Sequence, residues 1–201
     1  MKTLEQDIVC PFPTVPALLQ ARAEQTPDKP YLIFQDQEFS YARFKSLVRR
    51  TAAYFRSLGA VRGSRVAVLI PNSDHFLYCY FGAMEAGGAA ATLNTLLKAE
   101  ELEFIINDCG AEILCTTPHY RKLLDPVWSN LTNIKHVIFT EPGELPCTAL
   151  MSDILARTEE YSDPAITGED DAAMIYTSGT TGHPKGVVLT HANILYNSYV
   201  A

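Results

Sequence analysis

The hydrophobic and polar positions of this chain follow two alternating periods, which predict helices and strands in turn. Along residues 41–58, apolar side chains recur every three or four positions, with Ser40 placed to cap the helix and Gly59 to end it. Residues 65–70 are instead a continuous apolar run that stops at Pro71, a pattern typical of a strand buried on both faces. Together the two patterns predict an α/β protein.

The same two patterns continue through the rest of the chain. Further helices are predicted at residues 18–25, at 74–86 behind a cap at Ser73 or Asp74, at 99–108, at 120–128 and from 191 onward behind Thr190. Strands are predicted at residues 31–34 and 38–40, as a hairpin, and at 89–93, 112–116, 136–140 and 174–177. Proline, glycine and acidic residues are concentrated in two segments that are interpreted as surface connections, 141–152 and 159–171. The predicted fold class is α/β, with a mainly parallel, doubly wound sheet and helices on both faces.

Composition and charge narrow the functional class. The 201 residues include 23 acidic and 16 basic side chains without a basic cluster, which argues against a nucleic-acid partner. Five cysteines are scattered without a Cys-x-x-Cys pair, so neither a disulfide framework nor a zinc site is indicated. The N-terminus lacks the pattern of a signal peptide, and Glu85 interrupts the nearly uncharged residues 76–93, so no transmembrane segment is predicted. We expect a cytoplasmic protein with small-molecule partners.

The candidate chemistry follows the strand predicted at residues 174–177. This strand leads into a loop whose candidate phosphate-binding residues are Thr177, Ser178, Gly179, Thr180, Thr181, Gly182 and Lys185. Gly179, Gly182 and Gly186 allow positive φ, which turns backbone N–H groups toward one point, while the hydroxyls and the Lys185 ammonium add donors and charge. The pattern predicts a polyphosphate site, with a surface loop that binds no ligand as the alternative.

Two common phosphate loops do not fit this spacing. Counting from Gly179, Lys185 stands where the Walker pattern G-x-x-x-x-G-K-[ST] has its lysine, but Pro184 and Gly186 replace the residues on either side. The dinucleotide pattern G-x-G-x-x-G also fails, because the glycines of the loop are three and four residues apart. A kinase-like phosphotransferase is therefore disfavoured.

The stretch from Tyr176 to Gly186, Tyr-Thr-Ser-Gly-Thr-Thr-Gly-His-Pro-Lys-Gly, resembles the signature loop of the adenylate-forming enzymes. That family includes acyl-CoA synthetases, aryl-CoA ligases, luciferases and the adenylation domains of peptide synthetases. Upstream motifs occur in the family's order, namely Phe39-Ser-Tyr, Gly63-Ser-Arg-Val-Ala-Val, Pro71-Asn-Ser, Ala86-Gly-Gly and the acidic helix from Glu100 to Glu103. The resemblance implies that residues 1–201 are the N-terminal α/β part of a larger AMP-binding domain, truncated after the signature loop and without the C-terminal domain.

The resemblance further implies a two-step ligation. A carboxylate attacks the α-phosphate of ATP, with Mg²⁺ as the metal cofactor, and CoA then accepts the acyl group as a thioester. Lys185 is the expected catalytic residue, because its charge would stabilise the departing pyrophosphate together with the cofactor-binding residues of the loop. The metal ligand stays open between Thr177 and Thr181. His191 is interpreted as a capping or packing residue rather than an acid–base group.

The residues after the Ala86 motif bear on the acceptor. Peptide-synthetase domains usually have Pro and then Asp here and CoA ligases usually have Pro-x-Asn-Pro, whereas Thr92-Leu-Asn-Thr keeps only Asn94. This favours a fatty or aryl acid–CoA ligase. The alternatives are an adenylation domain that loads a carrier protein and a stand-alone nucleotide- or phosphate-binding module. Because the family's C-terminal half is absent, we expect the 201-residue chain alone to be inactive and to self-associate through exposed apolar surface.

Overall fold

The structure is a computed structural model that describes residues 10–158, 162–177 and 184–200. The helices are α1 Val15–Gln25, α2 Tyr41–Ser57, α3 Asp74–Glu85, α4 Ala99–Cys109, α5 Pro118–Leu123, a 3₁₀ helix at Asp125–Asn130, α6 Met151–Leu155 and α7 His191–Val200. The strands are β1 Pro30–Phe34, β2 Gln37–Ser40, β3 Arg65–Leu69, β4 Ala89–Thr92, β5 Ile113–Thr116, β6 His136–Phe139, β7 Ala149–Leu150, β8 Asp171–Thr177 and β9 Lys185–Thr190.

Seven strands of the described chain form one sheet, in the order β7-β6-β5-β3-β4-β8-β9. Neighbouring strands from β7 to β8 run parallel, and β9 runs antiparallel to β8. β1 and β2 pair separately as the predicted antiparallel hairpin. The prediction of a mainly parallel sheet is confirmed.

The sheet separates two apolar cores, because successive side chains of a strand point to opposite faces. In β3, Val66 and Val68 lie in the core that includes residues of α2, α3 and α6. Ala67 and Leu69 lie in the second core, with α4 and the 3₁₀ helix. Helices therefore cover both faces of the sheet, as the doubly wound prediction requires.

Local sequence signals determine where several helices begin. The Ser40 hydroxyl accepts a hydrogen bond at 3.3 Å from the N–H three residues later, which starts α2 as predicted. Ser73, and not Asp74, caps α3 in the same way at 3.2 Å. Thr190 caps α7 at 3.2 Å. Each of these three helices thus begins next to a predicted capping residue.

The single helix predicted over residues 120–128 is wrong. α5 begins earlier, at Pro118, and gives way to the 3₁₀ helix that contains Pro126. Proline has no N–H to donate, and its ring clashes with the carbonyl group four residues earlier, so an α-helix cannot continue through it. The segment therefore folds as two short helices.

The surface connection predicted over residues 141–152 is wrong at its C-terminal end. β7 adds a strand to the parallel sheet there, and α6 follows it directly. Met151 and Ile154 of α6 are fully buried against the core on that face. Elements of two and five residues are too short to show a periodic pattern, so tertiary pairing and burial define them.

Candidate functional site at the carboxyl edge of the sheet

The connections after β3 and β4 define a crevice at the carboxyl edge of the sheet. The two strands are neighbours, but β3 leads into α3 on one face, whereas β4 leads into α4 on the other. The chain thus diverges between their ends. In open α/β sheets, ligands bind in such a crevice outside the carboxyl ends of the strands.

A cavity of about 570 Å³ opens at this crevice. That volume lies within the range of small-molecule sites, roughly 300–1,000 Å³. Ile70 and Leu93, which directly follow β3 and β4, form part of its apolar wall together with Ile175 of β8. The amides of Asn72 and Asn94 add polar groups. The cavity can therefore enclose an apolar group while offering a few hydrogen bonds to a polar one.

The predicted phosphate loop joins β8 to β9 as a hairpin. Thr177 and Lys185 are paired across the two strands and are the last described residues of the hairpin's β ladder. Both are exposed, and Lys185 forms no ion pair with any described residue. The other predicted loop residues, Ser178, Gly179, Thr180, Thr181 and Gly182, lie outside the described residues. The structure thus brings together Thr177 and Lys185 at the base of the loop.

Gly186 has a different role from the predicted one. Its expected positive φ is wrong, because Gly186 lies in β9 directly opposite Tyr176. A Cβ atom there would lie 3.0 Å from the ring carbon Cζ of Tyr176 and would overlap the methyl group of Met174. Glycine is needed here because two side chains of β8 occupy the space above it, not because the backbone turns.

Tyr176 connects the hairpin to α4 and also lines the cavity. Its hydroxyl donates a hydrogen bond to Oδ2 of Asp108 at 2.5 Å, near the C-terminus of α4. Burial, together with this bond to the carboxylate, raises the pKa of Tyr176 well above its ordinary value, so the phenol stays a donor at physiological pH. Sequence reasoning missed this pair because the two residues are 68 positions apart.

The charges at the opposite, amino end of β8 are paired internally. Arg65 forms an ion pair with Asp171 at 2.5 Å, and Arg62 forms one with Asp170. A hydrogen bond from the N–H of Thr167 and, to a smaller extent, the hydrogen bond and charge of Arg62 lower the pKa of Asp170. The carboxylate therefore stays ionised. The amino end therefore offers little charge to a ligand, in contrast to the exposed ammonium group of Lys185 at the other end of the hairpin.

His191 is a packing residue, as the sequence indicated. Its imidazole is fully buried, and Nδ1 accepts a hydrogen bond from the N–H of Val15 at 3.4 Å. Burial lowers its pKa to about 4, so the ring is neutral at pH 7.

The described residues contain neither an evident metal site nor a membrane-spanning helix. No group of three or more His, Cys, Asp or Glu side chains in this part of the chain could hold a metal ion. None of the helices there has the length and hydrophobicity needed to cross a bilayer.

The chain matches known proteins along most of its length. The family model of the AMP-binding enzymes matches residues 19–201. A crotonobetaine/carnitine–CoA ligase of Salmonella paratyphi A is 35% identical over 193 residues, covering 88% of this chain and 36% of that ligase. The long-chain-fatty-acid–CoA ligase FadD13 of Mycobacterium tuberculosis is 34% identical over 164 residues, covering 79% of this chain and 31% of FadD13.

A solved structure shows the same fold. The anthranilate CoA ligase AuaEII, in complex with anthranoyl-AMP, has a TM-score of 0.84 at 24% identity, and the match covers 91% of this chain and 36% of that one. The chain therefore spans about a third of the length of the relatives it matches. Since the family model matches residues 19–201, which is most of the chain, the chain belongs to the AMP-binding enzyme family.

Proposed function

We propose that this chain is the N-terminal part of an ATP-dependent carboxylate–CoA ligase and that the β8–β9 hairpin binds the polyphosphate of ATP. One observation carries the proposal. The exposed residues Thr177 of β8 and Lys185 of β9 are paired at the base of a loop rich in glycine and hydroxyl groups, and β8 lines the carboxyl-edge cavity. An exposed ammonium that forms no ion pair among the described residues, beside such a loop, is suited to a phosphate anion.

The proposed reaction has two steps. A carboxylate oxygen of the acid attacks the α-phosphorus of ATP, and the bond from that phosphorus to its bridging oxygen breaks, which releases pyrophosphate and leaves an acyl-adenylate. The CoA sulfur, after losing its proton, then attacks the acyl carbon, and AMP leaves with the electron pair of the acyl–oxygen bond. Negative charge grows on pyrophosphate in the first step, so the Lys185 ammonium acts there as the catalytic group.

We propose that a Mg²⁺ ion accompanies ATP and is held mainly by the nucleotide. The ion would bind phosphate oxygens and water, with a hydroxyl of Thr177 or Thr181 as the proposed protein ligand. Such an ion neutralises phosphate charge when bound. The remaining phosphate-binding groups we propose are Ser178, Gly179, Thr180 and Gly182 of the loop.

For the carboxylic acid substrate and the acceptor of the acyl group, we propose only a chemical class. The relatives are named for crotonobetaine and carnitine, for long-chain fatty acids and for anthranilate, so we assign a fatty or aryl carboxylic acid without choosing between them. CoA, rather than a carrier protein, is the proposed acceptor because these relatives are CoA ligases and because Asn94 follows the Ala86 motif. We place the enzyme in the cytoplasm, in keeping with its scattered thiols.

We also propose that the isolated chain self-associates. β9 is an edge strand whose Val187 and Val188 are 45% and 40% exposed, and Tyr196 and Val200 of α7 are exposed as well. An exposed apolar edge strand promotes association with another chain.

Calorimetric titration of the 201-residue chain with pyrophosphate and excess Mg²⁺ tests the phosphate site. Pyrophosphate has the charge of the leaving group, so we expect it to bind, and we expect Lys185→Ala to weaken binding about tenfold or more through loss of a charge-assisted hydrogen bond. Lys122→Ala is the matched control, because Lys122 is an exposed lysine on α5. Equal losses in both variants would mean that only the net charge of the chain matters, and the proposed site would be wrong.

A further inference from the structure

Tyr176 lies one residue before Thr177 on β8, and its partner Gly186 lies one residue after Lys185 on β9. The ring of Tyr176 lies over Gly186, where a side chain would collide with it. Met174 and Tyr176 pack against the core that includes α4. The ring of Tyr176 is therefore held between β9 and α4, next to the two residues at the base of the phosphate loop.

The hydroxyl of Tyr176 adds a directional contact to this packing. It donates to Asp108 at 2.5 Å, and among the described residues this is the side-chain hydrogen bond that joins the loop end of the hairpin to α4. β8 is paired with β4 from Ala173 to Ile175, and at its amino end Asp171 forms an ion pair with Arg65. The two ends of β8 thus have separate attachments.

Asp108 lies at a position where a carboxylate destabilises an α-helix. Asp108 is the last residue but one of α4, and an acidic group there faces the negative end of the helix dipole. The last turn of α4 contains no basic side chain that would offset it. The hydrogen bond from Tyr176 gives this unfavourably placed carboxylate a specific partner.

We propose that Tyr176 and Asp108 are positioning residues, whose hydrogen bond orients the β8–β9 hairpin so that Thr177 and Lys185 face the same polyphosphate. This inference rests on the proposed phosphate site. Neither residue needs to touch phosphate. They act through the backbone of the hairpin, by limiting how far its loop end can rotate away from α4.

The direction in which Asp108→Ala changes the affinity for pyrophosphate distinguishes a positioning role from a purely electrostatic one. Asp108 is an anion near a proposed anion site, so its removal should tighten pyrophosphate binding if only its charge acts over distance. Positioning predicts the opposite. We expect Asp108→Ala to weaken binding of Mg²⁺–pyrophosphate about fivefold to tenfold, the scale of one hydrogen bond, and Asp108→Asn, which keeps an acceptor oxygen, to recover much of that loss.

Calorimetric titration of the 201-residue chain with Mg²⁺–pyrophosphate is the test. Tyr176→Phe should weaken binding about as much as Asp108→Ala, and the double variant should be no weaker than either single variant. Tyr196→Phe, at an exposed tyrosine of α7, is the matched control and should bind like the wild type. Circular dichroism melting of every variant identifies any loss of binding that is due to unfolding.

The outcomes separate this inference from the proposed function. If the wild-type chain does not bind pyrophosphate, the proposed phosphate site is wrong. If the wild type binds and Lys185→Ala is weaker, but folded Tyr176→Phe and Asp108→Ala bind as tightly as the wild type, the site stands and the positioning role is wrong. Tighter binding by Asp108→Ala, or fully additive losses in the double variant, would also overturn the positioning role.

Discussion

Acid should destabilise this fold through His191, the first residue of α7. The ring is fully buried, and Nδ1 must be unprotonated to accept the hydrogen bond from Val15. Nε2 has no hydrogen-bond partner among the described residues. Burial lowers the pKa from its ordinary 6.5 to about 4, and the nearby Asp170 carboxylate only partly opposes this effect. The folded state therefore holds a neutral ring at pH values where the unfolded chain would bind a proton.

The pKa difference determines the sign and the size of the effect. Since the folded pKa lies below the unfolded one, the unfolded chain binds more protons between pH 6.5 and pH 4, and stability falls as the pH falls through that window. Each pKa unit corresponds to about 1.36 kcal/mol, so the free energy of unfolding should decrease by about 3 kcal/mol across the window, of which about 2 kcal/mol is lost by pH 5. Above pH 6.5 the ring is neutral in both the folded and the unfolded chain, so His191 causes no such loss of stability there.

Urea unfolding at pH 8, 6 and 5 measures this contribution. His191→Gln cannot take up the proton, so its free energy of unfolding should depend less on pH than that of the wild type, by about 2 kcal/mol between pH 8 and pH 5. His119→Gln, at an exposed histidine, should follow the wild type. The reasoning is refuted if the wild type and His191→Gln lose the same stability over this range.

Three further predictions concern the hairpin. Gly186→Val should destabilise the chain by about 1–3 kcal/mol, because its side chain would overlap Met174 and Tyr176, and a melting temperature equal to that of the wild type would contradict this. In the longer ligase that we propose, Lys185→Ala should slow adenylation by a factor on the order of 10²–10³ while sparing thioester formation from a preformed acyl-adenylate, which stopped-flow assays of each half-reaction can separate. Sedimentation velocity should show concentration-dependent association that Val187→Lys reduces, whereas a monomer at all concentrations would exclude self-association.

Much of the fold was predictable because its signals are local. The apolar run of β3 and the caps at Ser40 and Ser73 depend on a few neighbouring residues, and these elements formed where they were expected. The break in the helix at Pro126 is also a local signal, because proline cannot donate the N–H that an α-helix needs at that position. β7 and α6 could not be predicted, because their stability comes from pairing with β6 and from burial.

For the candidate site, the sequence predicts a ligand class but not how the surrounding side chains pack. The residue types from Thr177 to Lys185 indicate a phosphate ligand without reference to the fold. The need for glycine at position 186 was misassigned, because the collision with Tyr176 depends on strand register. The hydrogen bond between Tyr176 and Asp108 depends on how α4 packs on the sheet. No sequence pattern within either segment predicts that the two side chains meet.

Carboxylate-dependent exchange between labelled pyrophosphate and ATP tests the assignment as an AMP-forming ligase. The measurement uses the longer gene product to which we assign this chain, with a panel of fatty and aryl acids and with Mg²⁺ and ATP. We predict that label enters ATP only when a suitable acid is present, that AMP accumulates once CoA is added, and that Lys185→Ala lowers the exchange rate on the order of 10²-fold or more. Absence of exchange with every acid, or release of ADP instead of AMP, would contradict the assignment.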